Sequence, residues 1–359
     1  ANCQHGFRPK RSCSTQLVQV MDDWSRALES RSPVDVLYLD FQKAFDSVPH
    51  QRLLHKLKSY GVSGRLLAWI EAFLATRRQQ VVLNGLSSDW TEVTSGVPQG
   101  SVLGPLLFLM FVNDMPGVVR CPLMMFADDT KLYSEVATPR AASNLQSDLE
   151  ALVCWADAWQ LPFNEAKCKA MHIGSRNQNH QYVMRDTELS VTEVEKDLGV
   201  HIDCELKFRQ HASAAVAKAV QMLAVIRRSF VLINECTLPL LYKTMVRPHL
   251  EYGNLVWGPF CRADQKKGFL ERAASTWWEV RVRLAGTAAG GNSGPADPAP
   301  PGSEQNGSQR ALSERAPGGG RPAAAASPRR ISSPAPTLRS GAAYAHQQAR
   351  SRAPRGRAC

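Results

Sequence analysis

The chain has 359 residues, 44% of them hydrophobic, and a formal net charge of +11. That is enough to bury a sizeable core in roughly two domains. The excess charge sits mostly in residues 281–359, which hold 12 Arg, no Lys and 3 acids, so the basic balance says little about what the rest of the chain binds.

In chain order, Leu17, Val20, Met21, Trp24 and Leu28 form one helical stripe. The run Val34-Asp35-Val36-Leu37-Tyr38-Leu39 has the length and apolar content of a buried strand and ends at Asp40. Leu53, Leu54 and Leu57 mark a second helix, entered at Pro49 and stopped at Gly61. Gln80 to Leu83, the pair Asn84-Gly85 and a return through Trp90 to Val93 predict a hairpin, because Asn-Gly supplies the positive φ angles of a type I′ turn.

Thr94 to Ser101 is a loop that Gly and Pro keep narrow, and an apolar helix follows from Leu103 to Val112. Phe126-Ala127-Asp128-Asp129 places two adjacent acids between the apolar runs Leu123 to Phe126 and Leu132 to Tyr133, which reads as a second hairpin turn. Leu145, Leu149, Leu152 and Ala156 form an amphipathic helix, Leu198 to Ile202 reads as a strand, and helices follow over Ala212 to Ile226 and Leu238 to Val246.

This order predicts an α+β fold with boundaries near 203 and 280. Ala, Gly, Pro and Arg supply 51 of the 79 residues of the tail, 281–359, a composition that cannot bury enough apolar surface to order itself. Translation through unrelated or out-of-frame sequence is a plausible origin for it. The chain opens at Ala1 without an initiator Met, as a fragment or an incomplete gene product would.

The run Val102 to Val112 is broken by Gly104 and Pro105 and is too short for a bilayer, so no membrane is expected as a partner. No signal peptide is visible. Nine cysteines form no C-x-x-C pair and no zinc spacing, which points to reduced thiols in an intracellular protein, nuclear or cytoplasmic and not secreted.

The chemistry lies in the acids. Asp40 at one strand end and Asp128-Asp129 on a turn would bring three carboxylates to one sheet end, a cluster that repels itself unless cations sit in it. Two Mg²⁺ ions about 4 Å apart are what in-line nucleotidyl transfer requires. Taken singly, each segment has a bland reading: Asp40 to Asp46 as a helix N-terminus, Gly96 to Gly100 as a structural turn. An unrelated phosphoryl-transfer enzyme would need a phosphate-binding G-x-x-x-x-G-K-[ST] loop, which does not occur.

The ordered segments together resemble the reverse transcriptase domain of non-LTR, LINE-type retrotransposons of the jockey and chicken-repeat-like group, over roughly residues 4–262. The resemblance is carried by Gly6-Phe7-Arg8-Pro9, Leu39 to Asp46, Ser95 to Pro105 and Phe126 to Thr130. Phe163 to Cys168, Asp197 to Val200 and Val246 to Tyr252 extend it. A group II intron maturase or a viral RNA polymerase would share the metal logic but fits the wording around Asp40 less well.

The resemblance implies a right-hand polymerase palm with partial fingers over 1–203, a helical thumb over 204–280 and the disordered tail. It also implies extension of a DNA primer on an RNA template with dNTPs. Asp40, Asp128 and Asp129 match the metal-binding acids, with Phe41 lending its carbonyl, for two Mg²⁺ ions that Mn²⁺ can replace. Phe45 matches the bulky position under the sugar, and Gly96, Pro98, Gln99 and Gly100 match the nucleotide pocket. Lys167 matches a lysine able to protonate leaving pyrophosphate, Leu198 and Gly199 match the primer grip, and Arg8 is a candidate phosphate contact. Basic strands expected before Gly6 and a helical motif after Arg272 are missing, so a truncated, catalytically dead relic that only binds nucleic acid is the competing expectation.

Overall fold

The computed structural model describes residues 2–230, 234 and 237–257, all within one compact unit. A five-stranded sheet runs in the order Ser190–Val191, Lys169–Ile173, Val34–Leu39, Asp129–Glu135, Leu123–Phe126. The Val34–Leu39 strand lies at its centre and pairs antiparallel with both neighbours. Its continuous apolar run has a direct cause: helices cover both faces, so side chains of either parity are buried.

On one face Leu37, Leu39, Leu132 and Ala170 pack against Leu145, Leu149 and Leu152 of the Pro139–Trp159 helix and Phe108 of the Leu103–Val112 helix. On the other, Val34, Val36, Tyr133 and Met171 meet Leu17, Val20 and Trp24 of the Cys13–Glu29 helix. That helix starts where the sequence allows it: Ser12 caps the Thr15 amide while the Thr15 hydroxyl returns to the Ser12 amide.

The Asn84-Gly85 hairpin forms, with φ of 50° and 83° at its turn and short pairings at Val82–Leu83 with Leu86–Ser87 and at Arg78–Gln79 with Thr91–Glu92. Two expectations are corrected. The run from Leu198 to Ile202 is not one strand: Leu198 and Gly199 form the turn of a hairpin between Val194–Asp197 and Val200–Asp203. The helix expected from Leu238 to Val246 breaks at Leu241 into a π-helical turn, Tyr242–Val246, before Arg247–Glu251.

The Arg209–Ser229 helix follows the second strand of that hairpin. The expected disordered tail, 281–359, and the last part of the expected thumb lie outside the described residues. Among the described residues no helix is long and apolar enough to cross a membrane, and the described cysteines are free thiols.

Candidate active site

The sheet register builds the site. Leu39 pairs with Thr130 and Phe126 with Asp129, so one further step of the central strand sets Asp40 beside Asp129, with Asp128 on the adjoining turn. The turn needs Ala127 at a φ of 57°, a conformation that costs a non-glycine residue energy. Gln4 holds it there: its buried amide oxygen accepts from the Ala127 and Gly6 amides at 2.9 and 2.8 Å, and its nitrogen donates to the Ala127 carbonyl at 3.3 Å.

Asp40 is fixed from the Phe163 to Cys168 segment. The Asn164 amide donates to the Asp40 carbonyl at 2.7 Å, and the Asp40 amide donates to the buried Cys168 sulfur at 3.5 Å. Phe163 stacks on Phe41 at 4.4 Å. The bonds Asn164 to Asp40 and Gln42 to Pro162 flank the Phe41–Phe163 bridge, making it a non-hydrogen-bonded pair. The Phe41 carbonyl is therefore directed away from Phe163, toward the Asp128 side.

One carboxylate oxygen of Asp40, Oδ2, is buried and accepts no hydrogen bond. The exposed Lys167 ammonium stands 3.3 Å from it as an ion pair. Burial raises the pKa of Asp128, and the Asp40 charge adds to the shift. Asp129 reaches solvent, yet the protein around it and then repulsion from Asp128, Asp197 and Asp40 push its pKa up to about 6, against the pull of Lys131. Among the described residues no three Asp, Glu, His or Cys side chains converge on one point as ready metal ligands; the acids share a sheet end and feel one another's charge. The donor set, hard carboxylate oxygens with one of them buried and outside any hydrogen bond, suits Mg²⁺ or Mn²⁺.

A cavity of about 310 Å³ opens beside these acids, lined by Tyr38, Asp40, Asp129, Lys131, Lys167 and Leu198 among others. It brings Lys167 and the Leu198 turn to the acids. Phe45 is half-buried, stacked on Phe108 at 4.5 Å and edge-on to Phe7 at 6.5 Å.

The Ser95 to Gln99 loop is clamped to the segment after Phe45. Val97 donates to the Phe45 carbonyl at 2.7 Å, the Ser95 hydroxyl to the Asp46 carbonyl at 2.8 Å and Gln99 to the Asp46 carboxylate at 3.3 Å. His50 contacts the Gly96 carbonyl at 2.8 Å. Pro98 offers its carbonyl to the Ser101 hydroxyl, and Gly100 takes a φ of 80°. Gly96 has a φ of 89°, and a Cβ there would lie 2.7 Å from the Asp46 backbone. Gly96→Ala should therefore cost about 1–3 kcal/mol, read as a lower midpoint in chemical denaturation; an unchanged midpoint would show that the loop can relax.

Arg8 is not among the residues that line the cavity beside the acids. It lines a separate cavity of about 400 Å³ with Phe7, Tyr60, Leu106 and Met110. Residues that sequence reasoning missed are Gln4, His50, Asn164 and Cys168, which hold the turn, the loop and Asp40 in place.

Acids at the end of antiparallel strands, two on a hairpin turn and one at the neighbouring strand end, are the arrangement of a nucleotide polymerase. The chain belongs to the reverse transcriptase (RNA-dependent DNA polymerase) family, whose profile matches residues 1–222. It is 31% identical over 303 residues to the RNA-directed DNA polymerase from mobile element jockey of Drosophila funebris, covering 78% of this chain and 32% of that protein.

A probable RNA-directed DNA polymerase from transposon X-element of Drosophila melanogaster is 30% identical over 278 residues, covering 74% and 30%. The kinship with non-LTR retrotransposons read from the motifs is borne out. The chain spans about a third of the length of these relatives. Among solved structures, a telomerase from Candida albicans in complex with a fragment of telomeric RNA overlays at a TM-score of 0.42 and 9% identity, over 80% of this chain and 55% of that one; an overlay at that level carries no argument about function.

Proposed function

We propose that the chain is the RNA-directed DNA polymerase domain of a non-LTR retrotransposon, adding dNTPs to a DNA primer on an RNA template. The observation that carries this reading is the register that sets Asp40 beside Asp129 and the Asp128 turn, with a buried Asp40 oxygen that accepts no hydrogen bond and faces the exposed Lys167 ammonium. In it, residues 1–203 are palm with partial fingers and 204–280 a thumb. Asp40, Asp128, Asp129 and the Phe41 carbonyl would hold two Mg²⁺ ions, which when bound would supply activation of the primer 3′ oxygen and neutralisation of charge on the departing pyrophosphate.

The remaining roles belong to the chain's own groups. Phe45 closes the space where a ribose 2′-OH would lie and so favours deoxynucleotides. Gly96, Pro98, Gln99 and Gly100 line the nucleotide pocket, with the Gln99 amide held by Asp46. Lys167, beside Asp40, gives a proton to pyrophosphate. The Leu198-Gly199 turn meets the primer end. Arg8, which lines the separate cavity, is the candidate phosphate contact in this scheme.

Cation binding has a signature apart from turnover. The folded chain keeps a proton on Asp129 that the unfolded chain releases above the ordinary 3.8, so stability is fullest below that value and is lost as pH rises through about 6. At neutral pH, Asp129→Asn should thus stabilise the metal-free protein by about 1 kcal/mol after allowance for screening of an exposed group. Mg²⁺ should raise the melting temperature of the parent protein more than that of the variant. Equal responses to Mg²⁺ would remove Asp129 from the cation site.

The test of the activity is extension of an oligo-dT primer on poly-rA with dTTP and Mg²⁺ or Mn²⁺, against the Asp128→Asn, Asp129→Asn double variant. Extension that needs both acids is expected. A folded, RNA-binding protein that extends nothing would instead be a relic that only binds nucleic acid.

A further inference from the structure

The hairpin that carries the Leu198-Gly199 turn is anchored differently along its two strands. Val200 and Ile202, on the second, are buried in the apolar core beneath the sheet. The first, Val194–Asp197, is held by charge. On the sheet, Lys131, Tyr38 and Lys169 form one row across three strands, Tyr38 pairing with Lys131 on one side and Lys169 on the other.

Asp197 and Glu195, two residues apart and so on one face of their strand, meet the two lysines of that row. Glu195 accepts from Lys169 at 2.9 Å, and Asp197 pairs with Lys131. The Lys131 and Asp197 side chains are only 2% and 4% exposed, so removing either would strand a buried charge.

The turn is also held from the C-terminal side. Leu198 and Gly199 take φ of 45° and 86°, and the first of these is strained for leucine. The Tyr252 hydroxyl donates to the Leu198 carbonyl at 2.7 Å. Its ring lies so close that a Cβ on Gly199 would stand 2.9 Å from it. Tyr252 is tied in turn by the Trp257 indole, which donates to its carbonyl at 2.7 Å. Lys131 lies two residues beyond Asp129 on the same strand, so the hairpin's ionic anchor and a site carboxylate share one rigid element.

We propose that Lys131 and Tyr252 are positioning residues that fix the Leu198-Gly199 turn over the Asp40 and Asp129 end of the sheet, Lys131 from the sheet and Tyr252 from the C-terminal helices. The inference rests on the reading of the chain as a reverse transcriptase domain: a primer end presented at that turn stays aligned with the carboxylates only while both holds persist. Loss of either hold weakens primer engagement and leaves nucleotide binding nearly alone.

The test uses Tyr252→Phe, Lys131→Met and the charge exchange Lys131→Asp with Asp197→Lys in the full chain. Tyr252→Phe, which removes one hydroxyl, should speed amide hydrogen exchange over residues 198–201 and raise KM for primer–template, each about tenfold, with KM for dTTP within about twofold. Lys131→Met should act in the same direction, and the exchange should recover primer KM to within about threefold of the parent. A turn whose exchange is unchanged in Tyr252→Phe would overturn the inference. So would a loosened turn with unaltered primer KM, or a folded charge exchange no better than Lys131→Met. Should the parent protein extend no primer, the reverse transcriptase reading fails by itself; hydrogen exchange and the affinity for labelled primer–template then decide the positioning claim.

Discussion

Asp40→Asn and Asp128→Asn are each expected to lower metal-dependent primer extension by at least about 10³-fold, while Lys167→Ala lowers it only about tenfold. The two aspartates differ from the lysine in what surrounds them. Asp40 is pinned through its backbone by Asn164 and Cys168, and its Oδ2 is buried without a hydrogen bond. An amide there would put a donor where a cation's ligand is required. Asp128 is half-buried and disfavoured as an anion by burial and by Asp40, so neutral Asn fits the metal-free fold at least as well as the carboxylate.

Lost activity in Asp128→Asn would therefore report lost chemistry rather than lost folding, a distinction that thermal melts of the same samples make directly. Lys167 is largely exposed and holds a single ion pair; water can replace a proton donor there, at modest cost. Equal extension by Asp128→Asn and the parent would sink the catalytic assignment. A loss in Lys167→Ala as deep as that in Asp40→Asn would instead make the lysine indispensable.

The parts of this site that were legible in the sequence are those set by local pattern. The Asp128-Asp129 turn announced itself because acids interrupt two apolar runs, and Asn84-Gly85 because few other pairs suit a type I′ turn. Leu198 was misread for the converse reason: it occupies a positive-φ position usually left to Gly, Asn or Asp, so the apolar run through Leu198 looked continuous. Gly199 after Asp197 was the only cue.

The Gly64–Leu74 helix was not anticipated, since its apolar residues crowd together without a clear polar face. Gln4 and Cys168 act on partners 123 and 128 residues away, and no local periodicity encodes such a contact. That Lys131 and Asp197 are both buried follows only from the hairpin's placement on the sheet.

Asp35 is the remaining case, and the largest stability effect is expected there. It is a charged residue inside an otherwise apolar strand and is fully buried at the sheet's centre. Three side chains converge on it: His172, its cross-strand partner, through Nδ1 at 2.7 Å, the Asn177 amide at 2.7 Å and the Tyr182 hydroxyl at 2.5 Å. Burial and then the nearby Asp35 carboxylate both raise the Tyr182 pKa, which keeps that hydroxyl a donor.

Asp35→Ala takes the acceptor from His172 Nδ1 and the Tyr182 hydroxyl and leaves Asn177 only the longer bonds to the Val34 and Ile173 carbonyls at 3.3 and 3.4 Å, while His172 Nε2 already has no hydrogen-bond partner. Loss of about 3–5 kcal/mol is expected by urea denaturation, against roughly 1–2 kcal/mol for Asp35→Asn, which keeps one acceptor oxygen. Asp35 is five residues before Asp40, on the opposite face of the strand, so it supports the site without touching it. Primer extension in Asp35→Asn should accordingly fall only with the folded fraction, leaving turnover per folded molecule unchanged. A drop in turnover beyond that fraction would mean that the central strand transmits its packing to Asp40.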